Sequence, residues 1–315
     1  MKHDLSSKTI RVSVIIPTYN RAHLIGRAIR SVLNQTYQDF ELIVVDDCST
    51  DNTEEVVRGF GNSRIRYIRL NENSGSPAAP TNMGITVARG EYIAVQDSDD
   101  QWLPEKLEKQ MDVFKNVSSQ VGVVYSDMWR VGEDGNEEYF RSPRIMPEDG
   151  IIYEEALGYR VANIGTVTLL IRKECFDRAG LFDEKLPTYI DTELLIRMSK
   201  YYLFYHIEEP LAKYYATPGS IASNPQANIS ARRLILEKYC EDIRRNKKLL
   251  ARHYFGIGHL LCLNGQIAQG RGYLKKAVMT YPIDVKSFLL ALISLFGQRS
   301  YNKAIQGYKR IIRCC

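Results

Sequence analysis

Residues 90–102 read GEYIAVQDSDDQW. Asp97, Asp99 and Asp100 fall within four residues, directly after an apolar run. Like charges this close repel, and the repulsion grows where water is excluded. Three readings of the run stay open. The first is a solvated turn whose Asp100 favours the start of a helix over 104–114. The second is a divalent-cation site, because Mg2+ and Mn2+ take carboxylate oxygens and keep open positions for phosphate. The third is a calcium loop, but the D-x-D-x-D-G spacing with a distant Glu is absent. A helix-start turn explains one carboxylate of three, so the spacing favours a cation held against a diphosphate. A second acidic pair, Asp46–Asp47, likewise follows an apolar run.

The elements that must position these residues alternate. IRVSVII (10–16) is nearly continuous in apolar character, as for a strand covered on both faces. AHLIGRAIRSVLNQ (22–35) places Leu24, Ile25, Ala28, Ile29, Val32 and Leu33 on one helical face. Strands follow at 41–47, 65–70, 91–96 and 121–127. Helices are expected from Asp51, with Glu54 three residues on as in a capping box, near 81–88, and over 104–114 with Pro104 in the first turn. Repeated βα units predict an α/β fold with a mostly parallel sheet flanked by helices. Ligands of such sheets bind outside the carboxyl ends of the strands, so both acidic clusters are expected at one edge. From 140 to 218 the pattern loosens. A strand at 166–172, helices near 173–179 and 191–201, and two short strands, LFYHI and LAKYYA, are expected to complete the site. After Pro225 the period is almost wholly helical. HYFGIGHLLCLNGQIAQGRGYLKKAVMTYP is similar to a tetratricopeptide-type helix pair, with small residues at the crossing points.

The 315 residues carry a net charge of +5, too mild to argue for nucleic acid without a concentrated patch. The six cysteines (48, 175, 240, 262, 314 and 315) form no CxxC pair, which points to a reducing compartment rather than a disulfide framework. Cys314 and Cys315 read as a frayed terminus. No apolar signal core precedes the first strand, and the apolar run FLLALISLF (288–296) is too short to span a bilayer. The expectation is a cytoplasmic protein, soluble or peripheral on the inner membrane face. A basic stretch with Arg244, Arg245, Lys247, Lys248, Lys275 and Lys276 suits a membrane surface, though a solvated helix face is the plainer reading. No P-loop, dinucleotide-binding G-x-G-x-x-G or HExxH motif is present.

VSVIIPTYNRAHLIGRAIRSVLNQTYQDFELIVVDDCSTDNT followed by NMGITVARGEYIAVQDSDDQW closely resembles the inverting, nucleotide-sugar-dependent glycosyltransferases of family two, with the GT-A fold. The likeness runs over about residues 10–220, which predicts a GT-A domain over 1–225. Its nucleotide-binding part would cover about 10–128 and its acceptor part about 129–225, with an all-α extension over 226–315. The resemblance implies that Pro17, Thr18 and Tyr19 line the nucleoside pocket, with Asp47 on the base, most naturally a uracil or thymine. It implies donor contacts from Asn82, Asp97 and Ser98, and a D-x-D of Asp97 and Asp99 in which Asp99 is the direct ligand of Mn2+ or Mg2+. It places the catalytic base at Asp191, in LFDEKLPTYIDTELLIRMSK, with Glu193 as fallback. Two positions depart from the family. Ile190 stands where an acid is usual, and Thr81 stands where an Arg is common, so a cation would have to come from elsewhere, such as Arg89. TPGSIASN (217–224) resembles a loop that closes over the diphosphate, or else links to the helical tail. The implied donor is a UDP-sugar by preference, and the implied acceptor a glycan or lipid-linked hydroxyl of surface polysaccharide or glycolipid synthesis. Two alternatives are another nucleotidyl enzyme on a similar sheet, and a weak or inactive nucleotide-sugar-binding scaffold acting through its helical tail.

Overall fold

Valine and isoleucine fill VSVIIPT so densely that the segment must be covered on both faces, and β1 (Val12–Thr18) is buried at every residue. The computed structural model describes residues 10–217 and 223–313, with side chains to residue 306. Within them the chain falls into two compact units. The first comprises Met1–Ala156, Arg160–Glu184 and Ile190–Pro218; the second comprises Leu157–Tyr159, Lys185–Tyr189 and Gly219–Cys315. The predicted closing loop at 217–224 and the terminal Cys314 and Cys315 lie largely or wholly outside the described residues.

Chain order after β1 is α1 (Ile25–Leu33), β2 (Phe40–Asp46), α2 (Thr53–Arg58), β3 (Ile65–Arg69), α3 (Ala78–Val87), β4 (Tyr92–Val95), β5 (Gln101–Trp102), α4 (Lys106–Asn116), β6 (Val121–Val131), β7 (Glu137–Phe140), α5 (Tyr153–Leu157), β8 (Leu170–Arg172), α6 (Glu174–Ala179), α7 (Ile190–Met198) and β9 (Leu203–Tyr215). Six further helices follow: α8 (Pro225–Lys238), α9 (Cys240–Arg244), α10 (Lys247–Leu263), α11 (Ile267–Thr280), α12 (Val285–Ile293) and α13 (Gly297–Arg313).

The strands form one mixed sheet in the order β3-β2-β1-β4-β8-β6-β9-β5, with β7 added on β6. The expected βα repeats make β3, β2, β1 and β4 parallel, and β6 and β9 are parallel too. The steps through β8 are antiparallel. Register decides where the connecting loops emerge. Thr18 lies beside Asp46, and Val95 beside Ile15. The loops after β1, β2 and β4 therefore leave the sheet at one edge. Gly90 lets the turn before β4 touch β1: an added Cβ would meet Ser13 N at 2.6 Å.

Local differences from expectation have plain causes. The two short strands LFYHI and LAKYYA are one strand, β9, whose pairing with β6 shifts register around Asp127 and Pro210; proline lacks the N–H that a continuous ladder needs. The strand expected at 166–172 begins as a 3-10 turn, Thr166–Thr168, and becomes β8 only at Leu170. In the second unit Gly258 and Gly270 meet where α10 crosses α11. A Cβ on Gly258 would lie 2.9 Å from Gly270 O. Cys262, Leu274, Leu290 and Tyr301 form one small core there, and Ile229, Ile257 and Leu261 another. Among the described residues no helix is long and apolar enough to cross a membrane.

Candidate active site

The acidic run is fixed from both sides. Upstream, β4 lies against β1, and the Gln96 backbone N–H donates to Ile15 O at 2.9 Å. Downstream, β5 pairs antiparallel with β9, and the Trp102 indole, fully buried, donates to Val167 O at 2.9 Å. The run is also held in its middle. Arg27 of α1 donates to the Asp99 carbonyl oxygen and stacks on the Tyr215 ring at 3.6 Å. The Tyr215 amide donates to Asp100 Oδ1 at 2.8 Å. The Thr217 hydroxyl donates to Asp99 Oδ2 at 2.9 Å.

Asp191 reaches the same place from α7, where it sits in the first turn. Its Oδ1 accepts the Thr192 amide at 2.6 Å and its Oδ2 the Thr166 hydroxyl at 3.4 Å. Burial pushes its carboxyl above the usual range. Asp97 is pushed up to about 7, first by burial and then by the charges of Asp99 and Asp191. The charge of Asp191 thus acts on Asp97 although the two stand 94 residues apart in sequence, so α7 brings Asp191 toward the D-x-D. Among the described residues no Lys or Arg side chain forms an ion pair with Asp97, Asp99 or Asp191.

The nucleoside-side candidates line the same edge. Pro17 and Thr18 end β1, and the Tyr19 ring beyond them is exposed. Asn20 then turns through φ 51° and Cys48, after β2, through φ 65°. These left-handed positions are ones that Asn tolerates best among residues with a side chain. Asn20 Oδ1 accepts the Thr50 amide at 2.7 Å, lacing the two loops together. Asp47 is buried, and its carboxylate accepts the Ser74 amide at 3.0 Å and the Ser74 hydroxyl at 2.9 Å. Ser98 is buried within the acidic run.

Several side chains do something other than what the sequence suggests. Asn82 is a strut: its amide nitrogen donates to Phe182 O and Glu184, and its oxygen accepts the Phe182 amide. Thr81 bonds back to Pro77 O at 2.6 Å, within its own helix. Arg89 is not a free cation for a donor, because its guanidinium and amide are both spent on Glu41. Glu193 is no fallback base: it is fully buried and paired with Arg197 at 2.8 Å. Asp100 does not open the next helix, which starts at Lys106; its job is to anchor Tyr215. Glu54 pairs with Arg58 rather than closing a capping box, while Asp51 accepts the Thr53 amide.

Two residues at this edge, Gln96 and Arg27, escaped the sequence reading. Both polar atoms of the Gln96 side-chain amide, the Thr18 hydroxyl and Asp100 Oδ2 are buried with no hydrogen-bond partner among the described residues. Buried polar atoms are normally paired, so four orphans along one sheet edge mark a place built for something besides the chain. A glutamine closing an apolar strand was the available signal for Gln96. Arg27 carried none, since one arginine in an amphipathic helix reads as a solvated face. No group of three or more His, Cys, Asp or Glu among the described residues is arranged to hold a metal ion by protein ligands alone.

Residues 13–197 match glycosyl transferase family 2. A Bacillus subtilis protein named as a teichuronic acid biosynthesis glycosyltransferase, TuaG, is 33% identical over 218 residues, 68% of this chain and 82% of its own. The Escherichia coli UDP-Glc:alpha-D-GlcNAc-diphosphoundecaprenol beta-1,3-glucosyltransferase WfgD is 29% identical over 261 residues, 79% of this chain and 92% of its own. In fold, the chain is similar to Staphylococcus aureus TarS 1–349 solved in complex with UDP-GlcNAc, with a TM-score of 0.65 at 22% identity over 95% of this chain and 92% of that one. More than half of the chain, including every acidic residue just described, thus falls within one family: it belongs to glycosyl transferase family 2 and is a glycosyltransferase with the GT-A fold.

Proposed function

We propose that the chain transfers a sugar from a nucleoside-diphosphate sugar, by preference a UDP-sugar, to an acceptor hydroxyl with inversion and with help from a divalent cation. The observation that carries this reading is the convergence of Asp191 on the D-x-D, read from the charge that Asp191 and Asp99 impose on Asp97. The names of TuaG and WfgD support an acceptor in surface polysaccharide or lipid-linked glycan synthesis. The UDP-GlcNAc bound to TarS and the UDP-Glc in WfgD's name support the nucleotide.

The residues present fit a hard cation. The carboxylates repel one another and lack cationic partners among the described residues, and Mg2+ or Mn2+ commonly takes one or two protein carboxylates and completes its shell with phosphate and water. Asp99, with Asp97 beside it, would hold the ion, which would supply a Lewis acid for the charge growing on the leaving diphosphate. The remaining work belongs to side chains. Thr192 and Thr166 orient the Asp191 carboxylate. Oδ2, with only the long contact from Thr166, is the freer oxygen to take the acceptor's proton as that hydroxyl attacks the anomeric carbon. Burial raises the basicity of Asp191 toward that task. Arg27 and Tyr215 hold the backbone of the acidic run still while charge moves past it.

The test is a panel of UDP-, GDP- and dTDP-sugars with Mn2+, reading nucleoside diphosphate release. Turnover of a UDP-sugar that chelator abolishes is expected. Metal-independent turnover, or a preference for GDP-sugars, would contradict the cation or the nucleotide respectively.

A further inference from the structure

The second unit carries an apolar surface that no catalytic role uses. Along α12 and the turn after it, Ser287, Leu290 and Ser294 are buried, and Leu290 packs with Cys262, Leu274 and Tyr301. The opposite side is the more apolar one, yet it faces outward. Val285, Phe288, Leu289, Leu292 and Phe296 recur at i, i+3, i+4, i+7 and i+11, which is one helical stripe. Phe288 is 48% exposed and Phe296 77%, and Ile283 ahead of the helix is 76% exposed. A helix inside a bundle turns its apolar stripe inward, whereas α12 turns its large apolar side chains outward. Single exposed apolar residues need no explanation, whereas a contiguous ridge of large ones marks an interaction surface.

Charge indicates the occupant. From Ile267 to Arg313 the sequence holds nine Lys and Arg and one acid, Asp284. That acid accepts the Ser287 hydroxyl of its own helix. Lys275 and Lys276 of α11, Lys286 of α12, and Arg299 and Lys303 of α13 are all exposed. A second copy of this chain would bring like charge against like charge, which disfavours self-association. An anionic bilayer offers the complement: headgroups for the cations, and an acyl boundary for the phenylalanines and leucines that demands no matched shape.

We propose that the α12 ridge, Ile283 to Phe296, seats the chain on an anionic lipid surface. The inference extends the reading of a lipid-linked acceptor, and its test measures lipid binding alone, so either can fail while the other stands. Full-length protein is sedimented with vesicles of phosphatidylglycerol and phosphatidylcholine, and with phosphatidylcholine alone. Binding to the anionic vesicles is expected, with weak binding to the neutral ones. Phe288→Ser with Phe296→Ser should lower partitioning by about tenfold or more, since each exposed ring contributes its buried apolar area at the interface. Arg299→Glu with Lys303→Glu should lower it too, and more at low salt than at high salt. These positions are exposed, so unfolding temperature should hold; Leu289→Ser with Leu292→Ser serves if the first pair is unstable. Absent binding, equal binding to both vesicle types, or binding unchanged by the serine pairs would overturn the proposal. So would a dimer that the serine variants dissolve in a protein that ignores vesicles.

Discussion

Glu41 and Asp97 are carboxylates at opposite edges of the same parallel strands, and the chain treats them in opposite ways. Glu41 lies near the start of β2, beside Ser13 of β1. Burial alone would raise its pKa, but the Arg89 amide, the Ser13 hydroxyl, and the guanidinium groups of Arg89 and Arg66 hold it below the usual value. Asp97 lies past the end of β4. Burial raises it too, and there the neighbours add to the rise, because they are Asp99 and Asp191. A buried charge is tolerated when its partners are supplied. This fold evidently can supply them, since it assembles two arginines around Glu41. That the other edge gathers carboxylates with no ion-paired cation among the described residues supports the proposed reading of it as the functional edge, where a ligand bringing positive charge and phosphate oxygens would bind.

The largest expected effect is at the acidic edge. Asp191→Asn should cut kcat by about a hundredfold to ten-thousandfold, the usual worth of a general base, while donor affinity measured by calorimetry stays near that of the unsubstituted chain. Near-full activity in this variant would remove Asp191 from the mechanism.

Next in size is the loss of the satisfied carboxylate. Glu41→Gln should destabilise the fold by about 2–3 kcal/mol in denaturant unfolding, below the usual cost of breaking a fully buried pair because Arg66 and Arg89 still reach solvent. The sign of the pH dependence follows from its lowered pKa. The contribution of Glu41 is present above its unfolded value, near 4.5, and is lost as pH falls through the lower folded value. The variant should therefore lack this acid-sensitive part of the unfolding profile.

The sharpest contrast comes from the same kind of change at the other edge. Asp97→Asn removes one of the mutually repelling carboxylates at that edge and should leave the fold unchanged or stabilise it by about 1 kcal/mol, while activity falls. If Asp97→Asn destabilises as much as Glu41→Gln, the two edges do not differ as described.

How much the sequence made legible depends on where each feature comes from. The parallel half of the sheet could be read because its strands are buried on both faces and announce themselves by composition. The acidic edge could be read because crowded carboxylates at strand ends are conspicuous and match a family. The antiparallel steps through β8 were hidden, since Leu170–Arg172 is too short to show a period and its pairing is tertiary. The partners of single polar residues were hidden for the same reason. Nothing local says that Arg89 turns to Glu41, that Asn82 braces Phe182, or that Arg27 crosses to Asp99 and Tyr215. Asp191 was legible only through its motif, and only the folded chain brings its charge to bear on Asp97.

The most direct test of the central claim, that the acidic edge is completed by a cation and a nucleotide together, is the unfolding temperature of the chain and of Asp99→Asn with UDP, with Mn2+, and with both. The account predicts a rise for the unsubstituted chain that needs both ligands, and little or none of that joint rise in Asp99→Asn. An equal rise with UDP alone, or the same response in Asp99→Asn, would contradict it.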